Sequence, residues 1–331
     1  MTASITPLTI VLIGANGYTG RAVLRAATRY PDQYRVRAQA RDTHGLITGT
    51  NIKVFTGSLE QVNPELFPDT PHVLVHAAAK NLDPDNSGYD KVNVDGTRAL
   101  LANCNDFTRG IIFHSSLSVL GQRSQQNVSN LQQIAAETPL ARSRAKAELL
   151  VMNFARQKSI SAYSLRPRFI LGKEDAFVIP ALIKLVRKGL FIGNGQQKFS
   201  IIDADDYGKL ILEMCQYAFD ASTSQNAEQL ALNVGYEQSL PFAAMFDSLQ
   251  ALLPDSTIKR RITHPAALAT VCNWMPVKKL QSLATQLQLI GLDHYSDVSE
   301  TRKRLRTDIL SRDSFDYFRQ LAQHFKDSPC N

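Results

Sequence analysis

The sequence lacks the features that mark several protein classes. Its four cysteines form no Cys-x-x-Cys pair and show no metal-ligand spacing, so we expect reduced thiols in a cytoplasmic protein. It has no apolar run of about 18 residues, which predicts no membrane span. The N-terminus has no charged segment followed by an apolar one, so we expect no signal peptide.

A basic tract typical of nucleic-acid binding is also absent. The net charge is +7 over 331 residues, and the densest basic cluster is Arg302-Lys303-Arg304 with Arg306. Because this cluster is short and acidic residues follow it, we interpret it as a solvated helix face and expect no nucleic-acid partner. An anionic ligand or simple solubility accounts for the positive balance. The apolar content of 44% and charged content of 20% are typical of a globular protein.

One stretch near the N-terminus organises the chain. Residues 8–13 are a continuous apolar run, and Gly14, Gly17 and Gly20 follow it at spacings of three. The run predicts a parallel strand covered on both faces. The glycines predict a tight turn that admits a pyrophosphate and leads into a helix, whose N–H groups point at the phosphates. We therefore predict a dinucleotide site, with the helix running from Tyr18 to about residue 30.

The end of the second predicted strand bears on the choice of cofactor. An acid at this place binds a free ribose 2′-hydroxyl, whereas an arginine accommodates a 2′-phosphate. At the end of this strand, Arg41 is followed directly by Asp42. Because Arg41 and Arg21 could both reach a phosphate, we predict NADP(H). In the alternative, Arg41 only starts a loop and Asp42 selects NAD.

Strands and helices alternate through the first half of the chain. This alternation predicts an α/β fold with a doubly wound parallel sheet of the Rossmann type. A polar segment at 122–133 predicts a mobile loop, and 139–158 predicts a helix with an apolar face that includes Leu149. Beyond residue 172 the pattern becomes mainly helical. We expect a dinucleotide-binding core from 1–172 plus 199–235 and a smaller substrate-binding lobe from 173–198 plus 236–331.

Several motifs then follow one another in the order of a known family. They are Gly14-Ala-Asn-Gly17-Tyr-Thr-Gly20, His76-Ala-Ala-Ala79, Tyr89-Asp-Lys-Val-Asn93-Val-Asp-Gly96-Thr97, Ser115-Ser116-Leu-Ser-Val-Leu-Gly121 and Leu165-Arg166-Pro167-Arg168-Phe169-Ile170-Leu-Gly172. Over residues 8 to 235 the chain resembles the extended short-chain dehydrogenase/reductases, most of all their 3β-hydroxysteroid dehydrogenase and sugar epimerase/dehydratase relatives. The resemblance and the glycine-turn reading together predict a cofactor site made of Gly14, Asn16, Gly17, Tyr18, Gly20, Arg21, Arg41, Ala77, Ala78, Ala79, Asn93, Arg144 and Pro167.

The resemblance also implies a catalytic serine, tyrosine and lysine, the last two spaced Tyr-x-x-x-Lys on a helix. Ser116 matches the family serine. The tyrosine and lysine positions hold Leu140 and Arg144 instead. Leucine cannot transfer a proton, and arginine can hold a ribose but is no proton shuttle. Ser58 stands where the family often has an aspartate that contacts adenine.

Three functions follow from these departures. In the first, the protein is an NADP(H)-dependent reductase of a carbonyl or hydroxyl on a small apolar or carrier-bound molecule. Its proton then comes from Ser116, a water or a residue of the lobe. In the second, it is a dinucleotide-binding sensor or structural subunit without turnover. In the third, the scaffold carries non-redox chemistry. A homodimer is an open alternative for its assembly.

Other residues carry alternatives of their own. His114 is a candidate to replace the missing acid. The candidate catalytic residues are therefore Ser116, Arg144 and His114. In the alternative, His114 is a hydrogen-bonded core residue, which is the more common role of a histidine in a buried strand. Asp203, Asp205 and Asp206 start a helix or, less readily, bind a metal. Trp274 and Met275 close the core of the lobe or line a substrate pocket.

Overall fold

The computed structural model of this chain describes residues 6–83, 85–223, 226–253, 256–274 and 278–325. Its strands are β1 (Leu8–Ile13), β2 (Tyr34–Ala40), β3 (Ile52–Thr56), β4 (His72–His76), β5 (Thr108–His114), β6 (Gln125–Val128), β7 (Ser161–Pro167), β8 (Phe169–Leu171), β9 (Leu190–Ile192), β10 (Lys198–Phe199), β11 (Ile201–Asp203), β12 (Gln229–Val234), β13 (Leu240–Pro241), β14 (Arg260–Ile262) and β15 (His294–Ser296). Its α-helices are α1 (Tyr18–Thr28), α2 (Gly96–Ala102), α3 (Pro139–Lys158), α4 (Val178–Arg187), α5 (Ala204–Thr223), α6 (Phe242–Gln250), α7 (Pro265–Trp274), α8 (Lys278–Gly291), α9 (Ser299–Arg302) and α10 (Ser314–His324).

The central sheet is parallel and has the strand order β12-β7-β5-β4-β1-β2-β3. The chain runs outward from β1 through β2 to β3, and then returns to the other side of β1 with β4. Because the order reverses between β1 and β4, a crevice forms beyond their carboxyl ends, where open α/β sheets bind ligands. The predicted Rossmann-type α/β fold is confirmed.

Strand β1 shows why a continuous apolar run is needed at the centre of this sheet. Side chains alternate between the two faces of a strand. Ile10 and Leu12 belong to the core that contains α1 and α5, whereas Val11 and Ile13 belong to the core that contains α2 and α3. All four are at most 2% exposed. Helices therefore cover the sheet on both faces.

The inner face of α3 differs from the prediction. Leu149 is 51% exposed, and the buried neighbouring position holds Glu148. Glu148 turns inward because the buried Arg166 side chain of β7 pairs with it. A buried ion pair has therefore taken a place on the helix face that periodicity alone would give to an apolar residue.

The C-terminal half adds small sheets to the helices that were predicted for it. β10, β13, β15 and β6 form one sheet in the order β13-β10-β15-β6, while β11 pairs with β8 and β14 with β9. Residues 125–128 of the predicted mobile loop at 122–133 form β6, so the loop prediction is wrong for these four residues. Gln125 is 4% exposed there, and its amide donates to the backbone oxygen of Gly121 at 3.2 Å. Its polar side chain is buried because its hydrogen bonds are made within the protein.

No helix among the described residues is both long enough and apolar enough to cross a membrane.

Candidate functional site

A cleft of about 1310 Å³ opens beyond the carboxyl ends of β1, β2, β4, β5 and β7. Most of the residues predicted to bind cofactor or substrate line it, namely Gly14, Asn16, Gly17, Tyr18, Arg21, Arg41, Ala77, Ala78, Ala79, His114, Ser116, Arg144 and Pro167. Gly20 and Asn93 do not line the cleft. The fold thus gathers segments that are more than 150 residues apart in the sequence around one crevice.

The glycine turn brings the start of α1 to the floor of the cleft. Gly14 has φ +84°, and a Cβ placed on it would lie 2.6 Å from the backbone nitrogen of Ala78. A Cβ on Gly20 would lie 2.2 Å from the Gly14 oxygen, which explains why Gly20 is buried behind the turn. Gly17 caps α1 without a side-chain hydrogen bond, so the first N–H groups of the helix face the cleft. This cradle fits a dinucleotide pyrophosphate.

One end of the cleft carries the residues predicted to discriminate between cofactors. Asn16 Nδ2 donates to the Asp42 backbone oxygen at 3.0 Å, and Arg21 Nη1 donates to Asn16 Oδ1 at 3.2 Å. Arg21 also lies 3.7 Å from Glu174. Arg41 is exposed and forms no ion pair within the described residues. Arg21 is therefore already engaged, and Arg41 is left to meet an anion.

The small residues after β4 are held in place by Asn93, which does not line the cleft. Asn93 is 2% exposed, and its Oδ1 accepts the Lys80 amide at 2.7 Å. Its Nδ2 donates to the Lys80 oxygen at 3.2 Å and to Ser143 Oγ at 2.9 Å. Asn93 was predicted to bind the cofactor, but it lies behind the cleft wall. Its contacts are those of a positioning residue for the segment 77–80.

Ser116 presents a hydroxyl to the cleft just beyond β5. Its Oγ accepts hydrogen bonds from the Ser118 amide at 3.2 Å and from Ser118 Oγ at 3.0 Å. Ser116 is extended, with φ −159° and ψ 147°, and caps a short 3₁₀ turn at Leu117–Leu120. Since both described bonds are accepted, the Ser116 proton can be donated to a molecule in the cleft.

Arg144 reaches the cleft from α3, one helical turn after Leu140. Its Nη1 donates to the Ser115 oxygen at 3.1 Å, and its Nη2 donates to Asn81 Oδ1 at 2.6 Å. Its Nε is buried and has no partner among the described residues. Burial lowers the pKa of Arg144. Two hydrogen bonds therefore fix the guanidinium beside Ser116. Leu140 also lines the cleft and adds an apolar surface.

His114 lies at the end of β5 and is held by two helices. Its Nδ1 is 2.9 Å from the Tyr207 hydroxyl, and its Nε2 is 3.5 Å from Thr19 Oγ1. Burial, reinforced by the charge of Arg144, lowers the pKa of His114 to about 3. The ring is therefore neutral near pH 7. Both its nitrogens face protein hydroxyls, as expected for a hydrogen-bonded histidine, although the half-buried residue also lines the cleft.

A buried ionic network supports the wall that carries Ser116 and Arg144. Ser115 Oγ donates to Glu148 Oε2 at 2.6 Å, and Arg166 binds Glu148 through its Nε at 3.2 Å and also through Nη2. Glu148 and Arg166 are 2% and 4% exposed. This network ties α3 to the ends of β5 and β7.

Comparison with known proteins places this chain in a family. The family model described as the NAD dependent epimerase/dehydratase family matches residues 10–235. The chain belongs to this family. It is 26% identical over 211 residues to a decarboxylating sterol-4-alpha-carboxylate 3-dehydrogenase of Schizosaccharomyces pombe, in a match that covers 60% of this chain and 58% of that enzyme. It is 24% identical over 251 residues to a UDP-glucose 4-epimerase of Vibrio cholerae, covering 68% of this chain and 76% of that enzyme.

Solved structures share the fold over nearly the whole chain. A UDP-N-acetylglucosamine 4-epimerase from Methanobrevibacter ruminantium, in complex with UDP-N-acetylmuramic acid, has a TM-score of 0.71 at 17% identity and covers 97% of this chain and 99% of its own. A UDP-glucuronic acid 4-epimerase from Bacillus cereus, in complex with NAD, has a TM-score of 0.69 at 17% identity and covers 95% and 100%. The predicted membership of the extended short-chain dehydrogenase/reductases is confirmed.

One cleft residue of this epimerase/dehydratase family member was not predicted. Arg168 follows Pro167 and lines the cleft, and its Nε is buried without a partner among the described residues. Burial lowers the pKa of Arg168 to about 9. The acids of the same wall are already engaged, since Glu174 pairs with Arg25, and Asp175 accepts three amides at the start of α4. The sequence shows an arginine here but not that its Nε is buried or that it lacks an acidic partner among the described residues.

The aspartates after β11 start a helix, as expected. Asp203 Oδ1 accepts the amides of Asp205 and Asp206 at 2.8 and 3.2 Å. Over the described ranges, no cluster of three or more potential metal-ligating side chains occurs.

Trp274 is 87% exposed, so its predicted place in the core of the lobe is wrong. Met275 lies outside the described residues.

Proposed function

We propose that this family member binds a nicotinamide dinucleotide in the cleft and acts as an oxidoreductase on a carbonyl or hydroxyl group of a small molecule. The glycine turn, the free first turn of α1 and the small residues after β4 support cofactor binding, because they leave room for a pyrophosphate. The related epimerase from Bacillus cereus is in complex with NAD. When bound, the nicotinamide supplies or accepts a hydride.

The observation that carries the proposal is the position of Arg144 beside Ser116. Asn81 and the Ser115 oxygen fix the guanidinium, and the Ser116 hydroxyl keeps a proton to donate. Together they can bind the reacting oxygen of a substrate and stabilise negative charge that develops on it. Neither Leu140 nor neutral His114 suits the general-acid role, so water in the cleft supplies the proton to that oxygen.

We further propose that the substrate carries an anionic group. Arg168 is a half-buried cation in the cleft wall, its Nε is buried without a partner, and it has no acidic partner among the described residues. Such a group binds carboxylate or phosphate well. The names of two relatives specify a sterol carboxylate and a UDP-sugar, which both carry an anion. Leu140, Ile170 and Val178 give the same cleft an apolar surface. A small molecule with an apolar body and one anionic group therefore fits this end of the cleft.

We propose NADP(H) as the preferred cofactor. Arg41 lies on the cleft, is exposed and forms no ion pair in the described part of the chain. Asp42 is also exposed at this end, and its backbone oxygen anchors Asn16. A 2′-phosphate would gain the charge of Arg41, whereas a free 2′-hydroxyl would use Asp42.

The first experiment measures hydride transfer directly. Purified protein is incubated with [4-²H]-NADPH or [4-²H]-NADH and with β-keto carboxylates, UDP-sugars or neutral ketones, and deuterium in the product is followed by mass spectrometry. We expect label in an anionic substrate. Ser116→Ala and Arg144→Met should each reduce turnover about 10²-fold because each removes a donor to the reacting oxygen. Ser118→Ala is the matched control and should retain most activity.

A catalytically silent dinucleotide sensor is the second candidate function. Leu140 in place of a proton donor and the depressed pKa of His114 favour it. Tight cofactor binding without label transfer to any substrate would refute the oxidoreductase proposal. Activity that appears only in the double variant Leu140→Tyr with Arg144→Lys would favour the sensor. The sensor should also bind NADP⁺ and NADPH with different affinities. Product formation without label transfer would instead indicate non-redox chemistry.

A further inference from the structure

Helix α7 exposes an uncharged face to solvent. Seven of its ten residues are exposed, and none of the ten is charged. Leu268, Val271 and Trp274 follow one another at spacings of three, so they lie on one side of the helix, and they are 38%, 54% and 87% exposed. Exposed helices normally carry charges on their outer face. This helix therefore presents an apolar ridge, which we define as Leu268, Val271 and Trp274.

The segment that contains the ridge carries positive charge only. Residues 256–292 include five lysines and arginines and no aspartate or glutamate. Lys259 and Arg260 are exposed and form no ion pair among the described residues. They lie within six residues of the first residue of α7, which limits their distance from it to roughly 20 Å. By contrast, the basic cluster at residues 302–306 is neutralised by ion pairs with acids.

We propose that α7 and its basic flanks form a docking surface for anionic lipid membranes. A tryptophan at the tip of an apolar ridge, on a helix preceded by an exposed lysine and arginine that form no ion pair among the described residues, suits the boundary between headgroups and acyl chains. A ten-residue helix is too short to span a bilayer but can lie in its surface. None of the residues of segment 256–292 lines the cleft. The surface is thus separate from the site that carries the proposed function.

Several features favour a membrane over a protein partner. The ridge has no charged or hydrogen-bonding group that would specify a partner, apart from the tryptophan N–H. No basic residue interrupts the ridge, and Lys259 and Arg260 precede its helix in the sequence. This combination of apolar and basic residues suits anionic lipids. The charge complementarity therefore points to an anionic lipid surface.

The test uses the protein's single tryptophan, Trp274, as a reporter. Full-length protein is titrated with vesicles of phosphatidylcholine alone or with about 30% phosphatidylglycerol, and tryptophan emission and co-flotation are measured. We expect a blue shift and flotation with the anionic vesicles only, and a loss of both at 0.5 M NaCl because salt screens the charges. Val271→Ser should weaken binding about tenfold and still keeps the reporter.

Two further variants separate the charges from the apolar ridge. Lys259→Gln with Arg260→Gln should weaken binding to anionic vesicles about 25-fold, since each charge contributes about fivefold. Leu131→Ser is the matched control, because Leu131 is 82% exposed but lies outside the segment. It should bind like the unchanged protein. Thermal melting checks that each variant is folded.

Three outcomes would overturn the membrane proposal. The first is an emission maximum that does not move with either vesicle. The second is equal binding to neutral and anionic vesicles, since it would remove the role of the basic residues. The third is a blue shift that appears without vesicles and follows protein concentration together with a doubled mass. That result would assign the ridge to contact with a second copy of the chain.

Discussion

At the scale of single residues, the glycine turn at the floor of the cleft depends on Gly14 having no Cβ atom. Gly14 combines φ +84° with backbone atoms of Ala77 and Ala78 less than 3 Å from where a Cβ would lie. The turn needs glycine for two reasons, its backbone conformation and its packing against the segment after β4. Sequence spacing predicts the first reason, but only the fold shows the second.

Gly14→Ala should therefore be far more damaging than Gly45→Ala. Gly45 also has positive φ, at +66°, but nothing lies within 4 Å of its Cβ position. We expect Gly45→Ala to cost about 1 to 2 kcal/mol of unfolding free energy from the backbone term alone. Gly14→Ala should cost more and should abolish thermal stabilisation by dinucleotide. Urea unfolding and melting with and without NADP⁺ test this pair, and similar losses in both variants would contradict the packing argument.

Arg41→Ala should weaken NADPH binding at least tenfold and leave NADH binding nearly unchanged. The physical reason is the charge that Arg41 would share with a 2′-phosphate, which NADH does not have. Asp42→Asn is the matched control, and it should affect NADH more than NADPH. Calorimetric titration with both cofactors measures the two effects. An equal loss for both cofactors in Arg41→Ala would contradict the assignment of NADP(H).

At the scale of elements, α3 is positioned by charge as much as by apolar packing. Glu148 lies on its buried face and binds Arg166 of β7 and Ser115 beyond β5. The helix that carries Leu140 and Arg144 into the cleft is thus held against the sheet through a buried acid. Breaking one partner of such a pair leaves the other charge buried, which is strongly destabilising.

Glu148→Ala should lower the free energy of unfolding by about 3 to 5 kcal/mol. Asp95→Ala is the control, because it breaks an exposed pair with Arg98 and should cost at most about 1 kcal/mol. Urea unfolding at pH 7 compares the two. If the double variant Glu148→Leu with Arg166→Met recovers part of the loss, the cost lies in the uncompensated charge and not in the lost volume. A loss for Glu148→Ala as small as that for Asp95→Ala would contradict this account.

At the scale of the whole molecule, buried histidines make stability depend on pH. Burial lowers the pKa values of His76, His114 and His294 to about 3. The unfolded chain binds protons on these rings below its ordinary pKa of about 6.5, whereas the folded chain does not do so until about pH 3. The free energy of unfolding should therefore fall as the pH is lowered through this window, by at most about 1.4 kcal/mol per pH unit for each ring.

Urea unfolding at pH 7.5, 6.0 and 5.0 measures this dependence. Replacing His76, which is 1% exposed and contacts Thr97 at 2.8 Å, by glutamine should reduce the slope by about one quarter to one third, because burial also lowers the pKa of His72. His44→Gln is the control, since His44 is exposed and should leave the slope unchanged. A free energy of unfolding that does not change between pH 7.5 and 5.0 would contradict the prediction.

The division of the molecule into a core and a lobe remains a prediction. Apolar side chains from both parts belong to the same hydrophobic cluster, for example Ile10 of β1 with Phe246 of α6. The boundaries at residues 172, 199 and 235 therefore follow changes in sequence pattern and not a gap in the packing. The lobe contributes small strands that the helical pattern did not show, because strands of two or three residues are too short to display a period.

The sequence alone determined the parallel sheet, the glycine turn and the family, because strand hydrophobicity and glycine spacing are local and strongly constrained. It also marked Ser116, Leu140 and Arg144 as the residues on which the chemistry depends. Only the tertiary structure decided which side chains have partners. It engaged Arg21 with Asn16, left Arg168 without an acidic partner in the described part of the chain, and placed the tryptophan of α7 in solvent. Burial and pairing depend on residues far apart in the chain, so no local pattern could supply them.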